Sequence, residues 1–151
     1  MTQRERLFAE IKRQKEAGER LPLVSLEDFF NGNDDFGSIG CNLDDPQAVP
    51  PVPAPYWPHP GPQGFYKTLR AIRERPNVQD VLVEISDADV GEGNWPFSEC
   101  VYILTAAVLE EVEAWAGSIF PTEVSEGYGD AKLSLASDLL PGYQVYMLWW
   151  D

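Results

Sequence analysis

The alternation of apolar and polar positions is clearest between residues 95 and 116, where a strand signal is followed directly by a helix signal. The unbroken apolar run Cys100–Leu104 is typical of a strand that is covered on both faces. After Thr105, apolar side chains recur at the spacing of one helix face, and three glutamates fall on the other faces. The pattern predicts a strand over residues 98–104 and a helix over residues 106–116, with Thr105 as the N-cap.

Two further strands are predicted, over residues 79–85 and 143–150. Within the first of them, Glu84 is the one residue that does not fit an apolar strand. The segment between residues 85 and 98 is rich in turn residues and contains no helical pattern, so we expect the strands on either side of it to be antiparallel neighbours.

Helical periodicity is found in three other segments. Apolar positions predict a helix over residues 65–75, and Pro76 marks its end. An N-terminal helix is expected within residues 1–20, on the outside of the domain. Ser25, with an acid three residues later, is a capping-box start for a short helix over residues 26–30.

The segment 46–62 contains eight prolines in seventeen residues. Proline lacks an N–H group and fixes φ, so we expect neither helix nor central strand there. The segment is either an exposed polyproline ligand or an extended arm that wraps the domain, and Tyr56 and Trp57 favour the arm. His59, the only histidine, has no visible partner and is interpreted as a surface residue.

These elements predict a single α+β domain over residues 1–151, with an antiparallel or mixed sheet, two to four helices packed on it and the proline-rich arm around it. Residues 117–130 are interpreted as loop. Residues 133–140 are ambiguous between a short helix and irregular structure.

Length and composition fit one soluble domain: 151 residues, 44% of them hydrophobic, can bury a core without disulfides. Cys41 and Cys100 both lie in apolar contexts and are predicted to be small buried thiols. No run of apolar residues approaches the roughly 20 that a membrane span needs. We therefore expect a cytoplasmic protein with no membrane association.

The formal net charge of −14 is unevenly distributed. Residues 76–151 contain fourteen acids and one base, a net charge of −13. Such a surface repels nucleic acids and anionic membranes and attracts basic proteins. A basic protein is therefore the expected partner, although acidity also serves solubility alone.

The sequence carries no catalytic motif that we recognise. A single histidine within a proline tract leaves no base for a hydrolytic triad, and Gly91-Glu-Gly93 does not precede a helix that could bind phosphate. Asn31, Asn33 and Asp35 alternate like calcium ligands, but the positions that require Gly and Glu are Phe36 and Asn42. We therefore assign no catalytic residue, metal or cofactor and favour a non-enzymatic role, with enzymatic activity left open.

The residues that we predict to contact a partner are Asp87, Asp89, Glu92 and Trp95, which lie in one turn-rich segment. Acids beside an aromatic side chain combine long-range attraction with a contact that can be buried at an interface. Trp95 precedes Pro96 at the entrance of a strand, so its ring could instead close one end of the core.

Four segments together resemble an uncharacterised group of small acidic bacterial proteins: Ser25-Leu-Glu-Asp-Phe-Phe-Asn-Gly-Asn-Asp34, Gly37-Ser-Ile-Gly-Cys-Asn-Leu43, Trp95-Pro-Phe-Ser98 and Trp149-Trp-Asp151. In size, acidity and aromatic content the chain is also similar to immunity proteins that neutralise secreted toxins. The resemblance implies a toxin-neutralising role and assigns no individual residue. The alternative is a small-ligand-binding protein or hydrolase that uses clustered carboxylates in a cleft beside the proline-rich arm.

Overall fold

The computed structural model describes residues 1–40, 59–128 and 139–151. Its elements, in chain order, are α1 (Gln3–Glu16), β1 (Leu23–Ser25), α2 (Leu26–Phe30), a 3₁₀ turn (Phe36–Ser38), α3 (Gly61–Arg73), β2 (Val78–Glu84), β3 (Cys100–Thr105), α4 (Leu109–Ala116), a second 3₁₀ turn (Gly117–Ile119), β4 (Glu123–Glu126) and β5 (Gln144–Trp149). The predicted α+β class is confirmed.

The strands form one antiparallel sheet in the order β1-β2-β3-β5-β4. The predicted antiparallel pairing of β2 with β3 is therefore confirmed. Where β2 ends and β3 begins, directly opposed residues form one row across the whole sheet: Leu23, Glu84, Cys100, Trp149 and Glu123. Opposed residues of antiparallel strands point to the same face, so this row lies on one side of the sheet.

The prediction that residues 117–130 are loop is wrong for two parts of that segment. Gly117–Ile119 is a 3₁₀ turn and Glu123–Glu126 is an edge strand paired with β5. The strand has four residues, Glu-Val-Ser-Glu, and two of them are exposed acids. It exists because β5 offers a free edge, since its own composition disfavours a strand.

The other face of the sheet carries the helices and the main core. Val83, Val101 and Leu148 of the central strands pack there with Phe65 and Leu69 of α3. α1 adds the buried side chains of two residues, Leu7 and Ile11, to the same core. β3, in the middle of the sheet, is buried at all six positions and so is covered on both faces, which accounts for its long apolar run.

α4 begins later than predicted. Thr105 is the last residue of β3 and not a helix N-cap: its hydroxyl donates to the Asn77 carbonyl oxygen at 2.6 Å and accepts from the Ala107 N–H at 3.0 Å. The N-cap is Val108, whose side chain makes no capping hydrogen bond. By contrast, Ser25 caps α2 as expected, since its hydroxyl accepts from the Asp28 N–H at 3.1 Å.

His59 is half-buried, and both of its ring nitrogens form hydrogen bonds. Its interpretation as a surface residue without a partner is therefore wrong. Nδ1 accepts from the Gly61 N–H at 2.8 Å, so the remaining ring proton is on Nε2 and is donated to the Ile39 carbonyl oxygen at 2.8 Å. The next residue of that segment, Gly40, has a φ of 63°, and a Cβ there would lie 2.5 Å from the Phe65 ring. These contacts join residues 39 and 40 to the start of α3.

Most of the proline-rich segment 46–62, together with Cys41 and residues 129–138, lies outside the described residues. The expectation of no helix in residues 46–62 is wrong at their end, because Gly61 and Pro62 begin α3. Proline is tolerated in a first helical turn, where its missing N–H would have no helical partner.

Candidate functional site

The acidic segment after β2 is an ordered loop. Asp87 and Phe97 form an antiparallel bridge, in which the Phe97 N–H donates to the Asp87 carbonyl oxygen at 2.7 Å. The Asp87 carboxylate accepts from the Asp89 N–H at 2.8 Å, and the Asn94 N–H donates to the Gly91 carbonyl oxygen at 3.0 Å. Side-chain and backbone turns of this kind hold the loop in one conformation.

Two contacts from distant parts of the chain hold the end of this loop. Arg4 Nε donates to the Asn94 carbonyl oxygen at 2.8 Å, and the Trp95 N–H donates to Asp35 Oδ2 at 3.0 Å. Asp35 Oδ1 accepts from the Gly37 N–H and Asn33 Oδ1 from the Asp35 N–H. Two of the three residues that alternate like calcium ligands, Asn33 and Asp35, thus use their side-chain oxygens to cap turns and to hold Trp95.

The four predicted contact residues divide into two groups. Asp87, Asp89 and Glu92 are exposed, whereas Trp95 is only 6% exposed and packs in the core. Its indole Nε1 is buried without a hydrogen-bond partner in the described part of the chain. The ring therefore closes the core at the base of the loop, and a contact of the three acids with a partner stays a prediction.

Other carboxylates lie at the same end of the sheet as this loop. Glu99 follows the loop directly, and its N–H donates to the Ser86 hydroxyl at 2.9 Å. Glu123 is opposite Trp149 in the terminal row, and the Asp151 N–H donates to the Thr122 hydroxyl at 3.0 Å. We call this surface the acidic end and define it by six residues: Asp87, Asp89, Glu92, Glu99, Glu123 and Asp151.

A half-buried tryptophan lies within the acidic end. Trp149 is the β5 member of the terminal row, between Cys100 and Glu123, and its Nε1 lies 3.5 Å from Glu99 Oε2. Sequence reasoning missed this residue because the run from Tyr143 to Trp150 looked buried on both faces. Strict alternation would have distinguished the two tryptophans: Trp150 points into the helix-side core, and its neighbour Trp149 points to the opposite face.

No ion pair between described residues includes a carboxylate of the acidic end, although Lys12 and Lys15 of α1 line a pocket together with Asp89. The ion pairs between described residues join Lys12 to Glu16, Arg13 to Glu10 and Arg73 to Glu27. The described residues also contain no group of three metal-binding side chains. Exposed, separated carboxylates of this kind act on a ligand through long-range attraction and rim contacts.

A buried carboxylate lies on the same face, two strands from Trp149 with β3 between them. Glu84 is 6% exposed and accepts a short hydrogen bond from the Tyr102 hydroxyl, which also lies 2.9 Å from the Tyr128 carbonyl oxygen. Beside it, burial raises the pKa of the Cys100 thiol to about 12, with smaller contributions from the charges of Glu84 and Glu99. The polar residue that did not fit an apolar strand is thus satisfied by hydrogen bonding within the sheet face.

A cluster of hydrogen-bonded polar side chains joins α2 to α3. Arg73 binds Glu27 through two hydrogen bonds of 2.6 and 2.8 Å, and the Tyr66 hydroxyl donates to Glu27 Oε2 at 2.9 Å. The hydrogen bonds from Arg73 lower the pKa of Glu27 to about 2, with a smaller lowering from Tyr66. Arg70 lies over the Tyr66 ring at 4.9 Å, so this cluster uses two of the four cations of the α3 segment structurally.

The model of the uncharacterized protein YfbO family matches residues 2–148. The Escherichia coli (strain K12) protein described as "Uncharacterized protein YfbO" is 39% identical over 131 residues, which cover 86% of this chain and 83% of that protein. The chain belongs to the YfbO family. The resemblance to an uncharacterised group of bacterial proteins is therefore confirmed.

The matched segment of the YfbO family contains every residue of the acidic end except Asp151. No solved structure matches this chain. Among the described residues, no helix combines the length and the apolar composition that crossing a membrane requires.

Proposed function

We propose that this chain is a non-enzymatic cytoplasmic binding protein whose partner is a basic protein, held at the acidic end. The observation that carries the proposal is that three acids of an ordered loop, Asp87, Asp89 and Glu92, are exposed and form no ion pair with a described residue. Such a field accelerates the approach of a positively charged surface.

Trp149 supplies the aromatic contact with the partner that the buried Trp95 does not. It is half-buried, lies between Glu99 and Glu123, and therefore combines an exposed aromatic edge with an acidic surround. Tryptophans in this setting are frequent anchors at protein interfaces, because they bury a large area with few rotatable bonds.

The narrower form of the proposal is a toxin-neutralising role. A nuclease-type toxin has a basic substrate-binding surface, and an acidic protein that covers this surface prevents the toxin from binding nucleic acid. This role is supported by the small size of the chain, its net charge of −14 and the placement of the acids at one end of the sheet.

The test compares three forms of the full-length chain. In one, Asp87→Asn, Asp89→Asn and Glu92→Gln remove three charges; Asn keeps an oxygen for the turn that Asp87 forms. In the matched control, Glu110→Gln, Glu111→Gln and Glu113→Gln remove three charges from exposed positions of α4. Wild type and control should pull down the same basic protein from a bacterial lysate, and the loop variant should bind it at least about tenfold more weakly.

The isolated pair is then measured by surface plasmon resonance at rising salt. We expect the association rate to fall steeply between 50 and 500 mM NaCl, since the Debye length shortens over this range. If the captured protein inhibits growth when expressed alone and is harmless when co-expressed with this chain, the toxin-neutralising form holds. Salt-independent association, or equal loss in both triple variants, would overturn the acidic-end interface.

A further inference from the structure

A groove with two cationic side chains lies between α3 and the end of α4. Its volume is about 440 Å³, and all of its lining residues belong to the described part of the chain. Lys67, Thr68 and Ala71 contribute the α3 side, and Trp115 and Ser118 the α4 side. The size falls within the range of small-molecule sites, roughly 300 to 1,000 Å³.

The cations of this groove are held in different ways. The Arg75 guanidinium lies over the Trp115 ring at 4.6 Å. Its backbone is fixed by hydrogen bonds of 3.1 Å to Ile72 and from Val78. Lys67 is exposed and forms no ion pair with a described residue. Arg75 is therefore preorganised, whereas Lys67 can move toward a bound group.

The groove differs in charge from the rest of the molecule. No carboxylate lines it, although the chain has 25 acids and 11 lysines and arginines. Within α3, Arg73 and Arg70 have structural roles at Glu27 and Tyr66, and these roles leave Lys67 and Arg75 to face the groove. Two cations without a carboxylate partner can bind an anion without first breaking an internal ion pair.

Apolar surface accompanies the cations. The buried residues Ile72 and Ile119 and the methyl group of Ala71 line the groove with the Trp115 ring, and the hydroxyls of Thr68 and Ser118 add hydrogen-bonding groups. A site with apolar walls and a few convergent polar groups is typical for organic ligands. A large polyanion would be repelled by the net charge of −14, whereas a small anion with one or two charges would feel this repulsion far less.

We propose that this groove binds a small organic anion, in which a carboxylate or phosphate group contacts Lys67 and Arg75 and an apolar part packs on Ala71, Ile72 and Trp115. This site is separate from the acidic end and does not depend on the proposed protein partner. It adds the binding of a small anion to a chain whose overall charge repels polyanions.

The experiment uses the full-length protein and four probes: phenyl phosphate, benzoate, inorganic phosphate and the uncharged benzyl alcohol. Binding is followed by the indole ¹H–¹⁵N NMR signal of Trp115, assigned with the Trp115→Phe variant, since the chain has five tryptophans. For probes of this size we expect a dissociation constant on the order of 1 mM. Phenyl phosphate or benzoate should bind at least about tenfold more tightly than either inorganic phosphate or benzyl alcohol, and the tighter of the two identifies the preferred anion.

The decisive variant is Lys67→Gln with Arg75→Gln, which should weaken binding of the organic anions at least about tenfold. The matched control, Arg6→Gln with Arg20→Gln, removes two exposed cations elsewhere and should change the dissociation constant less than about twofold. All four positions are exposed, and circular dichroism checks that each variant is folded. The proposal is wrong if benzyl alcohol or inorganic phosphate binds equally well, if both double variants lose binding equally, or if the Trp115 signal does not shift.

Discussion

The carboxylate of Asp35 holds the backbone of Trp95, sixty residues further along the chain. Asp35 Oδ2 accepts from the Trp95 N–H at 3.0 Å while Oδ1 accepts from the Gly37 N–H at 3.0 Å. One side chain thus caps the 3₁₀ turn and fixes the point where the acidic loop enters the core. Hydrogen bonds to a charged group contribute about 1.5 to 3 kcal/mol each when their loss leaves a buried group unpaired.

Asp35→Ala should lower the free energy of unfolding by about 2 kcal/mol, because it leaves the Trp95 and Gly37 N–H groups without their acceptor. Asp35→Asn should lose about half as much, since its single side-chain oxygen can serve one of the two donors. Urea denaturation measures both, and Asp34→Ala, at the exposed neighbouring position, is the control. Equal stability of the Asp34 and Asp35 variants would contradict the anchoring role.

The Glu27–Arg73 pair makes stability dependent on acid pH. The hydrogen bonds from Arg73 lower the pKa of Glu27 from 4.5 to about 2 in the folded state. The stabilisation is present above the unfolded pKa and is lost as pH falls from about 5 toward 2. Because the Glu27 side chain is 42% exposed, solvent screening reduces its size to the order of 1 kcal/mol.

Urea titrations at pH 7, 5 and 3 should show wild type converging on Glu27→Gln as pH falls. Gln retains one oxygen that can accept from Tyr66 or Arg73 and loses the charge and the second acceptor. Glu10→Gln is the comparison. The hydrogen bond from Arg13 lowers the pKa of Glu10 to about 2 as well, but Glu10 and Arg13 both belong to α1, whereas Glu27 and Arg73 join two helices. If the free energy of unfolding differs between wild type and Glu27→Gln by the same amount at all three pH values, this contribution is excluded.

Local sequence patterns predicted the three central strands and the two long helices because each contains enough apolar residues to show its period. They did not predict β1 and β4, which have three and four residues. These edge strands depend on pairing with β2 and β5, a relationship between residues far apart in sequence. The late start of α4 has the same cause, because the Thr105 hydroxyl donates to the Asn77 carbonyl oxygen in the turn between α3 and β2.

The candidate site was predictable in its exposed part only. A turn-rich run of acids indicates a solvated loop wherever it lies, and Asp87, Asp89 and Glu92 are exposed. The placement of the Trp95 backbone depends on its hydrogen bond to Asp35, sixty residues away. The position of Trp149 between Glu99 and Glu123 depends on the register of β4 and β5. The α3–α4 groove likewise joins Lys67 and Arg75 to Trp115 across two helices, and no local pattern contains that information.

The Tyr102 hydroxyl connects two groups on the face of the sheet opposite the main core. It lies within hydrogen-bonding reach of Glu84 Oε2 and, at 2.9 Å, of the Tyr128 carbonyl oxygen. Glu84 and Tyr102 are both buried, so loss of the hydroxyl would leave a buried carboxyl with one partner fewer.

Tyr102→Phe removes the hydroxyl that joins Glu84 to Tyr128 and should lower the free energy of unfolding by about 2 kcal/mol, because a buried carboxyl loses a partner. Thermal or urea denaturation at pH 7 measures the loss. A Tyr102→Phe variant as stable as wild type would contradict the role of this hydroxyl.

Cys100 should be unreactive in the folded protein. Burial raises the pKa of its thiol to about 12, so its thiolate fraction at pH 8 is about 10⁻⁴, and the residue is only 9% exposed. Ellman's reagent should therefore modify native wild type and native Cys100→Ser at the same rate, because the Cys100 thiol does not react. In 8 M urea wild type should react with two equivalents and the variant with one. A native rate that falls in Cys100→Ser would contradict the burial of this thiol.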